Sequence, residues 1–216
     1  MGNVTHSKKW TREEIDLLKT NYPTLAPSEL YKLFPQRSPG AIDTRASLLG
    51  LKKAPNFWGF DQAIISKLTE AQKAYLAGFF DGEGCIHIGT YPPGVYSAST
   101  ISPFHQLSIM LGNTNKLILE HICSLLSAGN IQRVEGKNSR TRPYYQWRIH
   151  GRKALEFLEL IKPYLILKKK EAALAIEFQS GKRNHLGGHK ALSPEIIQKR
   201  TDLAERLKIL KGRIRD

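Results

Sequence analysis

The chain has 216 residues, 41% of them apolar, which supplies a real core and excludes wholesale disorder. Lys and Arg outnumber Asp and Glu by 33 to 19, a net +14 that favours polyanionic partners, nucleic acid above all. Two cysteines, Cys85 and Cys123, are too few for a disulfide framework or a zinc site, and no apolar run approaches membrane-spanning length. The N-terminus lacks a signal-peptide core, so an intracellular, reducing setting without a membrane partner is expected.

In chain order, residues 10–53 read as three short helices. Thr11 and Glu14 form a capping box on the first, with Ile15, Leu17 and Leu18 as its apolar side. The second covers "PSELYKLF", residues 27–34. The third opens at Ser38 with Pro39 in its first turn and stops at Gly50. Ile42, Ala46 and Leu49 share one face of it, leaving Asp43, Thr44, Arg45 and Ser47 mostly outside. With Trp10, the acidic first turn and "RSPGAIDTRASLLGL", this stretch resembles the Myb/SANT-like DNA-binding domains. The resemblance implies a helix-turn-helix reader over residues 1–54, with Thr44 and Arg45 toward DNA. A trihelical protein-interaction module is the alternative, since fold does not determine function.

Residues 55–68 read as a linker with an amphipathic patch, its Trp58 and Phe60 docking on the larger domain. Thr69 and Gln72 make a second capping box, launching a helix through "YLAGFFDGEG". "CIHIGTY" and "HQLSIMLG" alternate as strands. "TNKLILEHICSLLSA" reads as a helix, with Leu117, Leu119, His121, Ile122, Leu125 and Leu126 on its buried side. Strands "NIQRVEG" and "YYQWRIHG" follow, joined by a basic turn, then helices "RKALEFLELIKPYL" and "KKKEAALAIEFQ". The predicted class is α+β, an αββαββα domain over residues 69–180 with a curved antiparallel sheet. Residues 181–216 form a basic loop and a last helix, "SPEIIQKRTDLAERLKIL". From residue 166 onward 13 Lys and Arg stand against 6 Asp and Glu, which suits phosphate contact. His185 and His189 are four apart, but the glycines between them argue against a shared metal-binding face.

The helix in residues 70–81 poses a physical problem. Asp81 and Glu83 stand at its C-terminal end, where the macrodipole favours cations. Ala77, Gly78 and Gly82 are read as a small-residue face on which a second copy of the helix packs closely, bringing the acids of both copies to one centre. Carboxylates crowded there repel one another unless a divalent cation neutralises them, and oxygen-only donors point to magnesium. "LAGFFDGEG", Leu76 to Gly84, resembles the signature of the LAGLIDADG homing endonucleases, and the element order after it is that family's.

The resemblance implies a metal-dependent double-stranded DNA endonuclease in which Glu83 is the catalytic metal ligand and Asp81 buttresses the turn or adds a ligand. It also implies an active-site amide at Asn115 and a lysine at Lys168 that stabilises the transition state. On residue grounds alone, Asn115 also fits a helix cap, and Lys168 a solvated run with Lys169 and Lys170.

Strand parity then proposes a DNA-facing surface. If Ile86 and Ile88 face the core, His87, Gly89 and Tyr91 face outward. The same parity turns Gln106, Ser108 and Met110 outward on the second strand. On the later strands Gln132, Tyr144, Gln146 and Arg148 face outward, with Ile131, Tyr145, Trp147 and Ile149 inward. The small side chains at Gly89 and Ser108 point to water-mediated contacts there. One motif per chain implies a homodimer cutting a long pseudo-palindromic site. The alternatives are a non-cutting transcriptional regulator on the same scaffold, or a maturase that binds intron RNA.

Overall fold

A computed structural model of the chain describes residues 9–25, 27–54, 59–95, 101–136, 142–182 and 191–212. It divides into two compact units, Met1–Phe57 and Trp58–Asp216. Trp58, His185 and His189 lie outside the described residues.

The first unit holds helices α1 (Arg12–Asn21), α2 (Pro27–Lys32) and α3 (Pro39–Leu48). Thr11 and Glu14 cap α1 reciprocally, the Glu14 N–H donating to Thr11 Oγ1 over 3.2 Å and the Thr11 N–H to Glu14 Oε2 over 2.9 Å. Glu14 also accepts from the Arg37 guanidinium, which lies 4.6 Å above the Trp10 ring. Leu18, Leu30, Phe34, Ile42 and Ala46 form a small core. Leu17, expected inside, is 40% exposed, because at 100° per residue it turns away from Leu18. Gly50, with φ +66°, ends α3 in a backbone conformation that side chains rarely adopt.

The second unit continues with α4 (Gln62–Ile65), α5 (Glu70–Glu83), β1 (Gly84–Tyr91), β2 (Phe104–Asn113), α6 (Lys116–Leu126), β3 (Asn130–Val134) and β4 (Tyr144–His150). It ends with α7 (Gly151–Ile161), a 3-10 turn (Lys162–Tyr164), α8 (Lys169–Ser180) and α9 (Pro194–Leu210). The strands form one antiparallel sheet in the order β1-β2-β4-β3. Ile86, Ile88, Leu107, Ile109, Leu111, Trp147 and Ile149 are buried on one face of it, with residues of every helix from α5 to α9 in the same core. Phe60 and Leu68, from the stretch read as a linker, also belong to that core, and the Phe60 N–H donates to Glu156 Oε2 over 2.6 Å.

On α6 the buried stripe is Leu119, Ile122 and Leu126. Leu117 is 72% exposed and His121 is exposed, against expectation. The 3.6-residue repeat sets both on the far side of that stripe. Among the described residues no helix is long and apolar enough to cross a membrane.

Candidate active site and nucleic-acid interface

The capping box predicted at Thr69 and Gln72 starts α5, and its far end carries the two acids. Asp81 is 9% exposed. Its Oδ2 accepts the N–H groups of Ile166 (2.7 Å) and Leu167 (3.2 Å), and its Oδ1 accepts the N–H of Lys168 (2.9 Å). Burial pushes the Asp81 carboxyl up, but these three donors together outweigh it and hold the pKa below its ordinary value. The Lys168 ammonium donates to the Asp81 carbonyl, one of the acceptors the helix end leaves unpaired. A cation thus meets the negative end of the helix dipole. Lys168 is half-buried, unlike the exposed Lys169 and Lys170.

Glu83 has a different environment. It is exposed, and it borders a cavity of about 380 Å³ lined also by Gly112, Asn113, Thr114 and Tyr144. Gly84 follows because nothing larger fits: a Cβ there would stand 2.3 Å from the Phe80 ring and 2.4 Å from the Phe80 carbonyl oxygen. The helix therefore passes directly into β1 and sets Glu83 opposite the end of β2. Asn115, expected at the active site, caps α6 by accepting from the Leu117 N–H over 3.0 Å. The amide bordering the cavity is that of Asn113. Counting along β2 to its last residue finds that amide without any appeal to resemblance.

Ala77 does not share the open face of α5. It is fully buried beside Leu76 and Phe80, one residue and about 100° away from Gly78. Gly78 and Gly82 are exposed, and no atom beyond the helix and its neighbours comes within 4 Å of a Cβ placed at either. Ala71, Ala74 and the 45% exposed Tyr75 continue this face.

The face of the sheet opposite the core carries His87, Gln106, Gln146 and Arg148, all half-buried, and the exposed Gln132. Register places Gln132 opposite Gln146, and Met110 opposite Arg148. Arg148 donates to the Gln146 side-chain oxygen, while its Nε is buried without a partner. The open spaces expected at Gly89 and Ser108 are filled. Tyr91 leans over Gly89, its Oη 2.7 Å from where a Cβ would stand. Ser108 is only 5% exposed, its Oγ 2.8 Å from Nδ1 of His150. His150 continues the outward parity of Tyr144, Gln146 and Arg148 by one more step. Extending the alternation to the end of "YYQWRIH" would have included it.

In the first unit, Thr44 is exposed on α3, and Arg45 beside it keeps a buried Nε without a partner. Both line a cavity of about 290 Å³ with Trp10, Gly40, Ala41 and Leu48.

An αββαββα unit built on one such sheet, with a Gly-flanked acid at the helix-to-strand junction, defines a class. Residues 76–176 match the family model described as LAGLIDADG endonuclease. The homing endonuclease I-CvuI, solved with its target in the presence of calcium, is similar at 23% identity and TM-score 0.51, covering 65% of this chain and 82% of that one. The same enzyme was solved with DNA not cleaved in the presence of magnesium; it aligns at 22% identity and TM-score 0.52, over 65% and 82%. The archaeal intron-encoded homing endonuclease I-Vdi141I, complexed with DNA, is similar at 20% identity and TM-score 0.53, over 65% and 84%. Residues 76–176 thus match the LAGLIDADG endonuclease model, and the second unit has a fold like that of the solved homing endonucleases. No curated relative matches the sequence.

Proposed function

We propose that the protein is a site-specific, divalent-metal-dependent endonuclease of double-stranded DNA that acts as a homodimer. The observation that carries this reading is the separate use of two acids with one residue between them: Asp81 is consumed by the fold, and Glu83 is left exposed at an open cavity beside Asn113 and Thr114.

The donor set fits magnesium, which is usually held by one or two carboxylates together with substrate phosphate oxygens and water. Glu83 would hold the ion, with the Asn113 amide and Thr114 hydroxyl beside it. A bound divalent ion supplies charge neutralisation at the phosphoryl oxygens and activation of the attacking water. Lys168 supplies positive charge beside the α5 terminus, its ammonium held by the Asp81 carbonyl. Asp81 is a positioning residue that ties the 166–168 segment to the helix end.

Among the described residues no three His, Cys, Asp or Glu side chains converge, so one copy offers Glu83 as its carboxylate at the cavity. A second copy packed on the Gly78–Gly82 face brings its own Glu83 to the same centre. Ile166 and Leu167, 83% and 75% exposed on the segment bound to Asp81, extend the surface available to that partner. The outward sheet residues would read the major groove, and α3 of the first unit, through Thr44 and Arg45, would add contacts beyond it.

Glu83→Gln tests the reading, because the amide keeps the shape and removes the charge. Cleavage of a selected target in magnesium should fall at least about a thousandfold, with affinity in calcium unchanged within about threefold. Full activity in the variant would remove Glu83 from the mechanism. Wild type that binds and never cuts would favour the regulator.

A further inference from the structure

Ser108 and His150 are register partners across β2 and β4, on the face of the sheet opposite the core. The sequence pattern nominated Ser108 as a reader, yet the structure buries it beneath the imidazole, 2.8 Å from Nδ1. A serine hydroxyl at this distance can donate to Nδ1. A hydroxyl that donates there leaves the proton of the neutral ring on Nε2. His150 is exposed at the end of β4; partial burial of its ring, and then the neighbouring Arg148 guanidinium, hold its pKa below the ordinary value, which favours the neutral ring. An imidazolium would be drawn to phosphates, which position a protein without reading sequence. A neutral ring tied at Nδ1 presents one directional donor.

We propose that His150 is a base-reading residue of this surface and that Ser108 is its positioning residue, fixing the tautomer so that Nε2–H donates to a purine N7 or guanine O6 in the major groove. This rests on the endonuclease reading above. The pair has a defined place along the site. Ser108 lies four residues along β2 from Gly112, which borders the cavity with Glu83. At about 3.4 Å per residue the pair stands about 13 Å out from that row, or roughly four base-pair steps of 3.4 Å.

The test uses the full chain and a duplex library randomised across the site, selected by binding, for wild type, Ser108→Ala, Ser108→Thr and His150→Ala. Wild type should show a purine preference at one step in each half-site, roughly four base pairs from the cleaved centre. That preference should fall about five- to tenfold in Ser108→Ala and His150→Ala, return in Ser108→Thr, and leave the other positions as they were. A Ser108→Ala profile equal to wild type, or a loss spread evenly over all positions, would overturn the proposal. Nitrogen-15 shifts of His150 in the DNA-free protein give a readout independent of binding. Wild type should show a bare Nδ1 and a protonated Nε2, and Ser108→Ala a tautomer mixture; identical shifts in the two would overturn the positioning role. Wild type that selects no duplex at all would overturn the endonuclease reading and the base-reading role together, while the shifts still judge the Ser108–His150 pair.

Discussion

On one side of α5, Leu76, Ala77, Phe80 and Asp81 are buried in the core of the second unit. On the other, Ala71, Ala74, Gly78 and Gly82 lie exposed, with room for a side chain at both glycines. The first face is finished within one chain: its acid already has three backbone donors, and its last turn has a cation. The second face is mostly small side chains, with Tyr75 45% exposed on it, and it ends next to Glu83, the acid of this helix end that the fold leaves exposed. Small residues on an exposed face contribute little to the folded monomer, and Gly costs a helix about 1 kcal/mol relative to Ala. In the proposed dimer a close approach of a second helix would account for that cost, and the contrast would then separate what folds the chain from what assembles it.

Asp81→Asn is the most severe way to probe the finished face. The amide keeps one acceptor oxygen and sets an NH2 group against a backbone N–H. Stability should fall by about 3 kcal/mol, the loss of several hydrogen bonds to a buried charge, read as a lower midpoint in urea. Glu83→Gln should leave that midpoint within about 0.5 kcal/mol, as for surface changes away from such features. Equal losses in both would erase the distinction between the two acids. The carboxyl of Asp81 is held low, so its contribution should persist at neutral pH and be lost only as pH falls below about 3.8.

The same contrast separates the two units. The first has five buried apolar residues around three helices and no acid near a cavity comparable to Glu83 among its described residues. Removing residues 1–54 should weaken DNA binding about ten- to a hundredfold by deleting basic contacts, and shorten the footprint. Cleavage at saturating protein should survive. Complete loss of activity in a folded, dimeric truncation would show that the units are not separable in function.

The smallest effect expected concerns His105, buried on the core side of β2. Its Nε2 lies 3.1 Å from Thr201 Oγ1, and its Nδ1 is buried without a partner. Burial, then the charges of Arg200 and Lys182, hold its pKa below the ordinary 6.5. The unfolded chain takes up that proton first, so stability is full above about pH 6.5 and declines as pH falls through it, at up to about 1.4 kcal/mol per unit. His105→Phe should flatten this slope between pH 7 and 5 in urea melts; an unchanged slope would assign the acid sensitivity elsewhere. Lys182 adds an alkaline counterpart. Burial, then Arg200, lower its pKa to about 8, so the native state sheds its proton first and stability rises from there toward pH 10.5.

Much of this is legible in the sequence because it is local. Caps, the Ser38–Pro39 helix start and the alternation of every strand depend on residues a few positions apart; the inward sets of β1 and β2 and Trp147 and Ile149 of β4 are buried as parity predicts, while Ile131 and Tyr145 are half-buried against the same core. The open face of α5 was half legible: Gly78 and Gly82 are correctly placed, while Ala77 needed strict 100° bookkeeping to put it with Leu76. What stayed hidden depends on distance in the chain. No pattern near Asp81 announces that the N–H groups of Ile166, Leu167 and Lys168 will close on it, and none near Ser108 announces His150. Those partners are set by how α7, α8 and β4 return to the sheet.

The central claim, that the unused face of α5 and the unused acid belong to one dimeric site, is tested most directly by sedimentation velocity of wild type beside Gly78→Leu. Leucine improves helix propensity by about 1 kcal/mol, so the monomer should fold at least as well. Overpacking at a close helix contact costs about 1–3 kcal/mol, felt once from each copy. Wild type should sediment as a dimer at micromolar concentration, and Gly78→Leu as a folded monomer that no longer cuts. A wild-type monomer that cuts both strands, or a Gly78→Leu protein that dimerises and cuts normally, would contradict the account.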